Sequence, residues 1–278
     1  MDTNKVWLVT GASKGLGLAL VKQLIAEGQK VAGTSRSLQS LEKVLPKSDL
    51  FLPLEMDILD EGNVSKGVEA IISKFGKIDV VVNNAGYGQL GTLEELSDQE
   101  ARENFDANVF GSLNVIRKVM PLMRLQKSGH IMNIASIGGL LGAFPGWGVY
   151  CATKFAVAGF TEALASEVSE FGVSATVVYP GYFRTNFLES GSLTTPKNPI
   201  AEYTTARALE VKHHEEIAGN QPGNPELAAK AFIALGNMEN PPVHFVMGSD
   251  AFGLAEAKVN MLQSDMKSHE TLSKSTDY

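Results

Sequence analysis

Val6-Trp7-Leu8-Val9-Thr10-Gly11-Ala12-Ser13-Lys14-Gly15-Leu16-Gly17 is the stretch on which the fold turns. The apolar run from Val6 to Thr10 reads as a buried strand, and a helical pattern follows the glycines at once. Glycines between a strand and a helix permit a tight turn and let the backbone approach a pyrophosphate. The helix amino terminus then offers free N–H groups and the positive end of a dipole. The spacing is Gly, three residues, Gly, one residue, Gly. That is not the commoner dinucleotide fingerprint, and alone it also suits a plain structural turn. Its position between strand and helix makes Gly11, Ser13, Lys14, Gly15, Leu16 and Gly17 candidate cofactor contacts.

Outward from this loop, apolar runs recur at Lys30 to Thr34, Leu50 to Met56, Val80 to Val82, His130 to Ala135, Val173 to Tyr179 and His244 to Met247. Several are continuously apolar, as in strands covered on both faces of a parallel sheet. Helical patterns lie between them. Ser97 and Glu100 form a capping box, and Phe105, Val109, Leu113, Ile116 and Met120 follow at helical spacing. A second stripe is Val157, Phe160, Leu164 and Val168; Asn224-Pro225 opens a third helix that Gly236 closes. The alternation predicts a doubly wound, Rossmann-type α/β sheet of about seven parallel strands with helices on both faces. The 278 residues are expected to form one domain. Residues 182–223 break the rhythm with Pro196, Pro199 and Pro222 and no strand-like run, and read as a substrate lid. Residues 249–278 add a helical extension whose stripe, Phe252, Ala255, Val259, Leu262 and Met266, should bury itself, preferably over the body of the chain.

Composition excludes several classes. With 44% hydrophobic and 20% charged residues the chain is ordinary soluble globular material. A net charge of −7 without a basic run argues against nucleic acid or an anionic membrane as partner. Cys151 is the only cysteine, so an intrachain disulfide is impossible. It reads as a small buried residue rather than a nucleophile. The polar start Met1-Asp2-Thr3-Asn4-Lys5 precedes an apolar stretch too short for a signal core or a span, which points to the cytoplasm. No His, Cys and carboxylate grouping has metal-ligand spacing, so no metal is expected. His213 and His214 read as solvated, and His130 and His244 as ordinary strand starts.

The end of the second strand bears on the nucleotide. An NAD site places an acid there for the ribose 2′-hydroxyl. This chain has Thr34-Ser35-Arg36-Ser37, with no acid until Glu42. Arg36 can pair a 2′-phosphate, and Lys14 adds a second cation. Either could instead be a solvated surface charge; together, with the acid missing, they favour NADP(H).

Tyr150 and Lys154 stand four apart, on one helix face. A cation beside a phenol favours phenolate and is expected to lower its pKa. Such a pair can give a proton to an alkoxide or take one from an alcohol. Ser136 can donate to a carbonyl oxygen as charge develops, or simply satisfy backbone at a strand end.

With these motifs the chain resembles the short-chain dehydrogenase/reductase family, in its compact single-domain branch. The resemblance runs from Lys5 to Gly248 and rests on Gly11, Gly15 and Gly17, Asn83-Asn84-Ala85-Gly86, Asn108, Ser136, Tyr150, Lys154, and Pro180-Gly181 with Thr185. Ser136 to Gly142 and Val149 to Ala152 are similar to carbonyl reductases and 17β-hydroxysteroid dehydrogenases. The resemblance implies Ser136, Tyr150, Lys154 and Asn108 as catalytic residues, with Asn108 binding a water that relays protons to Lys154. It implies that Lys154 also holds the nicotinamide ribose, Asp57-Ile58 meet the adenine, Asn84, Ala85 and Gly86 pass the adenosine ribose, and Pro180, Gly181, Phe183 and Thr185 line the nicotinamide. Asn83 reads as a sheet brace, and Asn108 could equally brace its helix.

The expected activity is hydride transfer between NADPH and a ketone, aldehyde or secondary alcohol. Other readings are an NADP-linked dehydrogenase working oxidatively, a cofactor-sensing regulator without chemistry, and an epimerase or dehydratase. Phe187, Leu188, Leu193 and Ile200, facing Phe144 and Trp147, suit a bulky apolar carbonyl compound. Arg184 or Arg207 would, if turned inward, favour a carboxylate. Small residues on the Tyr150 helix, such as Ala152, Ala156 and Gly159, suit a homo-oligomer, with a dimer favoured over a tetramer.

Overall fold

The structure is a computed structural model that describes residues 5–188 and 191–278, without the side chain of His214. The expectations for Met1 to Asn4 and for His214 therefore lie outside the described residues. In chain order the elements are β1 (Val6–Val9), α1 (Gly15–Ala26), β2 (Lys30–Ser35), α2 (Leu38–Glu42), β3 (Phe51–Glu55), α3 (Glu61–Phe75), β4 (Val80–Asn83) and β5 (Gly88–Gln89). Then come α4 (Asp98–Phe105), α5 (Gly111–Gln126), β6 (Gly129–Ile134), α6 (Gly148–Val168), β7 (Val173–Pro180), β8 (Leu193–Thr194), α7 (Thr204–Lys212), α8 (Pro225–Gly236), β9 (His244–Met247), α9 (Ser249–Ser268) and α10 (Glu270–Lys274).

Seven strands form one parallel sheet in the order β3-β2-β1-β4-β6-β7-β9. The order reverses between β1 and β4, and ligands of open α/β sheets bind outside the carboxyl ends of strands at such a switch point. Two apolar layers cover the sheet, as the unbroken apolar strands require. Trp7, Val9, Val80 and Val82 face α1 and α8 through Leu20, Leu24, Phe232 and Ile233. Val6, Leu8, Val81 and Ile131 face α3, α5 and α6 through Val68, Ile71, Val115 and Leu164. Ser97 caps α4 with Glu100 in a complete capping box, and Asn224 caps α8 ahead of Pro225.

Three expectations need correction. Residues 182–223 do contain a strand: β8 pairs with β5 in a small parallel sheet that ties this segment to the body. Its two residues are too few for periodicity to show. The helix that starts at Ser97 is interrupted by a π turn, Asp106–Phe110, between α4 and α5. The stripe on α9 does not cover the chain: Ala251 and Ala255 are buried, but Phe252, Leu262 and Met266 are 57%, 46% and 71% exposed. Only the first turns of α9 reach the body, where they meet Ile137, Leu140 and Val246.

Candidate active site

A cavity of about 710 Å³ opens at the switch point. The glycine loop forms one end. Gly11 and Gly15 have φ of +67° and +59°, where a side chain is strained. A Cβ on Gly17 would stand 2.5 Å from both the Gly11 carbonyl oxygen and Asn84 Nδ2. No side chain caps α1, so its first N–H groups remain available at the loop. Asn84 Nδ2 donates to the carbonyls of Thr10 and Gly11, and the N–H groups of Asn84 and Ala85 both donate to Thr10 Oγ1. The amide of Asn84 thus braces the loop, while Asn84, Ala85 and Gly86 line the cavity. Asn83 braces the sheet as expected, donating to Asn133 Oδ1 at 2.8 Å.

Lys14 and Arg36 sit together at this end and both line the cavity. Partial burial, and next the positive charge of Arg36, hold the Lys14 ammonium below the usual lysine range. Arg36 makes no ion pair among the described residues. Lys14 from the glycine loop and Arg36 just past β2 together give this end of the cavity a positive potential. Asp57 and Ile58 line the wall next to them, and Asp57 Oδ1 also accepts from Leu59 N.

At the other end, α6 carries Tyr150 and Lys154 on one face, both buried. The Ser136 side chain, at the end of β6, hydrogen-bonds the Tyr150 phenol and accepts from Gly138 N at 3.1 Å. Lys154 Nζ donates to the Ile134 carbonyl at 2.8 Å and lies 5.7 Å from the Tyr150 ring centroid. The expected depression of the phenol pKa is not found. Burial pushes Tyr150 up, outweighing the opposing bond from Ser136. Burial also lowers Lys154 to about 8. Desolvation wins because both groups are fully enclosed and the ammonium points to a carbonyl rather than to the phenol.

Asn108 lies in the π turn and is 1% exposed. Its Oδ1 accepts from Tyr87 N, and its Nδ2 donates to Tyr87 O and Thr153 Oγ1, each at 3.0 Å. The bracing role is therefore present, and these contacts fix the strand-to-helix corner beside Gly86. Pro180, Gly181, Phe183 and Thr185 line the cavity where β7 ends.

The apolar wall is Phe144, Trp147, Phe187 and Leu188. Leu193 and Ile200 do not line it: Leu193 is buried behind it, and Ile200 N donates to Glu95 Oε1. Neither arginine lines it. Arg207 pairs with Glu95 and Glu210, and Arg184 donates to the Gln221 carbonyl. Sequence reasoning missed Tyr182, His213, Gln221 and Asp250. Asp250 Oδ2 accepts from Tyr182 N at 2.7 Å and pins the turn after Pro180-Gly181. His213, expected on the surface, is 2% exposed, with Nδ1 against the Leu209 carbonyl at 2.7 Å and Nε2 against Tyr182 at 2.9 Å. Satisfaction of both ring nitrogens makes that burial tolerable. No local spacing signals it, because Tyr182 and Trp147, against which it packs, come from other segments. Among the described residues no group of three or more His, Cys, Asp or Glu could hold a metal, and no helix is long and apolar enough to cross a membrane.

Comparison with known proteins agrees with this geometry. A family model described as short chain dehydrogenase matches residues 5–195. Oxidoreductase BOA17 of Botryotinia fuckeliana is 34% identical over 96% of this chain and 97% of its own length. The 3-ketodihydrosphingosine reductase of Bacteroides thetaiotaomicron is 36% identical over 88% of each chain. A short-chain dehydrogenase from Streptomyces avermitilis superposes with a TM-score of 0.90 at 33% identity, covering 99% of this chain and 100% of that one. Structures at 28% identity include a 3-ketoacyl-(acyl-carrier-protein) reductase from Brucella melitensis complexed with NADH, at a TM-score of 0.73, and ElxO with NADP bound, at 0.71; each covers 87% of this chain and 96% of its own. Neighbours thus bind either nucleotide. The chain belongs to the short-chain dehydrogenase/reductase family and is an oxidoreductase of that family.

Proposed function

We propose that the chain is an NADPH-dependent reductase of bulky, apolar ketones or aldehydes, a single-domain cytoplasmic enzyme acting on small molecules. The observation that carries this reading is the buried trio of Ser136, Tyr150 and Lys154 at one end of a cavity whose other end is a glycine cradle. The cradle fits a dinucleotide on its own terms. Gly11, Gly15 and Gly17 leave room that a Cβ would fill, and Ser13, Leu16 and the uncapped start of α1 supply N–H groups for a pyrophosphate. Asp57, Ile58, Asn84, Ala85 and Gly86 would flank the adenosine, Pro180, Gly181, Phe183 and Thr185 the nicotinamide, and Lys154 and Tyr150 the nicotinamide ribose. Arg36 and Lys14 would take a 2′-phosphate, which favours NADP(H) over NAD(H).

When bound, the reduced nicotinamide supplies the hydride. The chain supplies the proton and the geometry. Ser136 Oγ can donate to the carbonyl oxygen, and Tyr150 holds the proton that the nascent alkoxide takes. A phenol pushed up by burial stays protonated at neutral pH, which suits the reductive direction. Lys154, lowered to about 8, is mainly cationic below that pH and stabilises the phenolate left behind. Asn108 keeps Gly86 and Tyr87 in place for this geometry, and a water on it would relay protons to Lys154. The reductase names among the relatives support the same direction. An oxidative, NADP-linked role would use the same residues. A non-catalytic sensor is disfavoured because it has no need of a buried phenol and ammonium in the cavity.

Residues 182–223 would act as the lid. Lys14 Nζ donates to the Gly191 carbonyl at 2.6 Å, so one cofactor-end cation already touches the segment. Exposed Ala152, Phe155 and Gly159 on α6 support a homo-oligomer, for which we retain a dimer. Consumption of NADPH by the full chain, followed by its absorbance across a panel of ketones, aldehydes and quinones, tests the activity. Turnover of apolar ketones with NADPH ahead of NADH is expected; no turnover of any carbonyl would overturn the reading.

A further inference from the structure

One side of the cavity is polar in a way that carbonyl reduction itself does not require. Tyr182 lines the cavity, while His213 stands behind it. The Leu209 carbonyl can only accept, so His213 Nδ1 carries the ring proton. In the neutral ring Nε2 is then an acceptor, and the Tyr182 hydroxyl donates to it. The phenol proton is thereby committed, and the oxygen of Tyr182 is left as an acceptor. Tyr182 has little freedom to turn. Its N–H donates to Asp250 and its carbonyl accepts from Gly223 N. His213 packs at 5.1 Å against Trp147, which packs at 5.3 Å against Tyr150. The acceptor thus shares one cavity with the residue that holds the catalytic proton, near enough for a charge on Tyr182 to bear on Tyr150.

A second group points the same way. Gln221 lines the cavity, is 2% exposed, and its Oε1 has no hydrogen-bond partner among the described residues. The parallel bridge between Phe183 and Gly223 sets residues 221–223 alongside 181–183, so Gln221 and Tyr182 belong to one corner. A buried amide oxygen without a partner is costly, and one facing a cavity is placed to accept from a ligand. Phe144, Trp147, Phe187 and Leu188 supply the apolar part of the same cavity.

We propose that Tyr182 and Gln221 bind a hydroxyl or amino group borne by the substrate next to its reacting carbonyl, with His213 positioning Tyr182 as the acceptor. The substrate class is then a ketone with a donor group on the adjacent carbon and an apolar remainder against the aromatic wall. This rests on the reductase reading. It goes further, because that reading requires only an apolar carbonyl compound.

The test compares 1-hydroxy-4-phenylbutan-2-one with 4-phenylbutan-2-one, which differ by the one hydroxyl, using full-length protein. Two readouts are taken: kcat/KM with NADPH, and binding of each ketone by calorimetry. Wild type should favour the hydroxyketone about tenfold or more in both, since a site that pairs a substrate hydroxyl rejects the analogue lacking it. Tyr182→Phe and Gln221→Leu should each cut that preference severalfold or more. His213→Phe, which keeps a ring against Trp147, should cut it too, and His213→Asn, which keeps an acceptor, should restore part of it. A wild-type preference near one, or Tyr182→Phe and Gln221→Leu lowering both ketones alike, would overturn the substrate claim. Equal ratios for His213→Phe and His213→Asn would overturn the role of His213. Turnover of neither ketone, nor of any other carbonyl compound, would overturn the reductase reading itself.

Discussion

Lys154 on the long helix α6 and Arg207 in the 182–223 segment are held in opposite ways. Lys154 is buried, bonds one neutral carbonyl, and sits inside α6, a helix of 21 residues. Arg207 is partly exposed and is held by two carboxylates, Glu95 and Glu210, at the start of the short helix α7. On the catalytic floor, regular elements enclose the charge and burial shifts its pKa. In the 182–223 segment, ion pairs and scattered hydrogen bonds add to a small apolar cluster in which Leu188 and Leu193 meet Leu90 and Trp147. Enclosed charge suits proton transfer, because the surrounding dipoles are already in place. Charge held by paired carboxylates suits a segment that can release and re-form its contacts.

The largest expected break in this comparison is on the floor. Lys154→Met keeps the bulk but removes the ammonium, and kcat should fall about 10²-fold or more in steady-state assays. A loss under about threefold would mean that the floor does not depend on its enclosed charge. Next is the cofactor end. Arg36→Asp should weaken NADPH far more than NADH, by roughly 10- to 150-fold, the range for a charge-assisted pair to phosphate. Equal loss for both nucleotides would make Arg36 an adenine platform or a surface cation.

Glu95→Ala addresses the lid. Glu95 accepts from Thr92 N, Ile200 N and Arg207. Burial raises its pKa, but these bonds outweigh burial and hold it below the usual carboxylate range. Removal should raise KM for the carbonyl severalfold and expose residues 196–212 to proteolysis, while kcat changes little. A kcat loss as large as that of Lys154→Met would erase the distinction between floor and lid.

Acid should affect the two regions in sequence, with the smallest consequence for turnover. His130 donates from Nε2 to Thr176, whose own proton goes to Pro242, so Nδ1 is left buried without a partner. Burial, and next the charge of Lys5, lower His130 to about 4. The unfolded chain then binds the extra proton first as pH falls, so stability is full above about 6.5 and is lost through about 4. The lid loses Glu95 only as pH falls below the ordinary carboxylate range. Thermal melts of His130→Gln should show a flatter acid limb between those pH values. An unchanged limb would place the acid sensitivity elsewhere.

How much of this was legible in the sequence follows the same division. The floor and cradle sit on elements with a period. Val6 to Val9, Gly11, Gly15, Gly17 and the Tyr150/Lys154 pair are local patterns, and the structure brings Gly11, Gly15, Tyr150 and Lys154 to one cavity. The direction of the Tyr150 shift was not legible, since spacing shows that Lys154 is near but not that its ammonium turns to Ile134. The 182–223 segment was legible only as an interruption. Tyr182, His213, Gln221 and Asp250 come together from four separate stretches, and no window contains them. The α9 stripe shows the reverse error. Phe252, Leu262 and Met266 have the period of a buried face, yet they stand exposed. Periodicity says that a face exists and does not say what meets it.

The central claim is that Tyr150 holds the proton for carbonyl reduction inside a preformed nucleotide site. The most direct test is Tyr150→Phe in the full chain, with NADPH affinity from fluorescence titration set beside kcat for the best ketone. We expect affinity within about threefold of wild type and kcat reduced at least about 10²-fold, the range for losing a general acid. Turnover near the wild-type rate with NADPH bound normally would contradict the account.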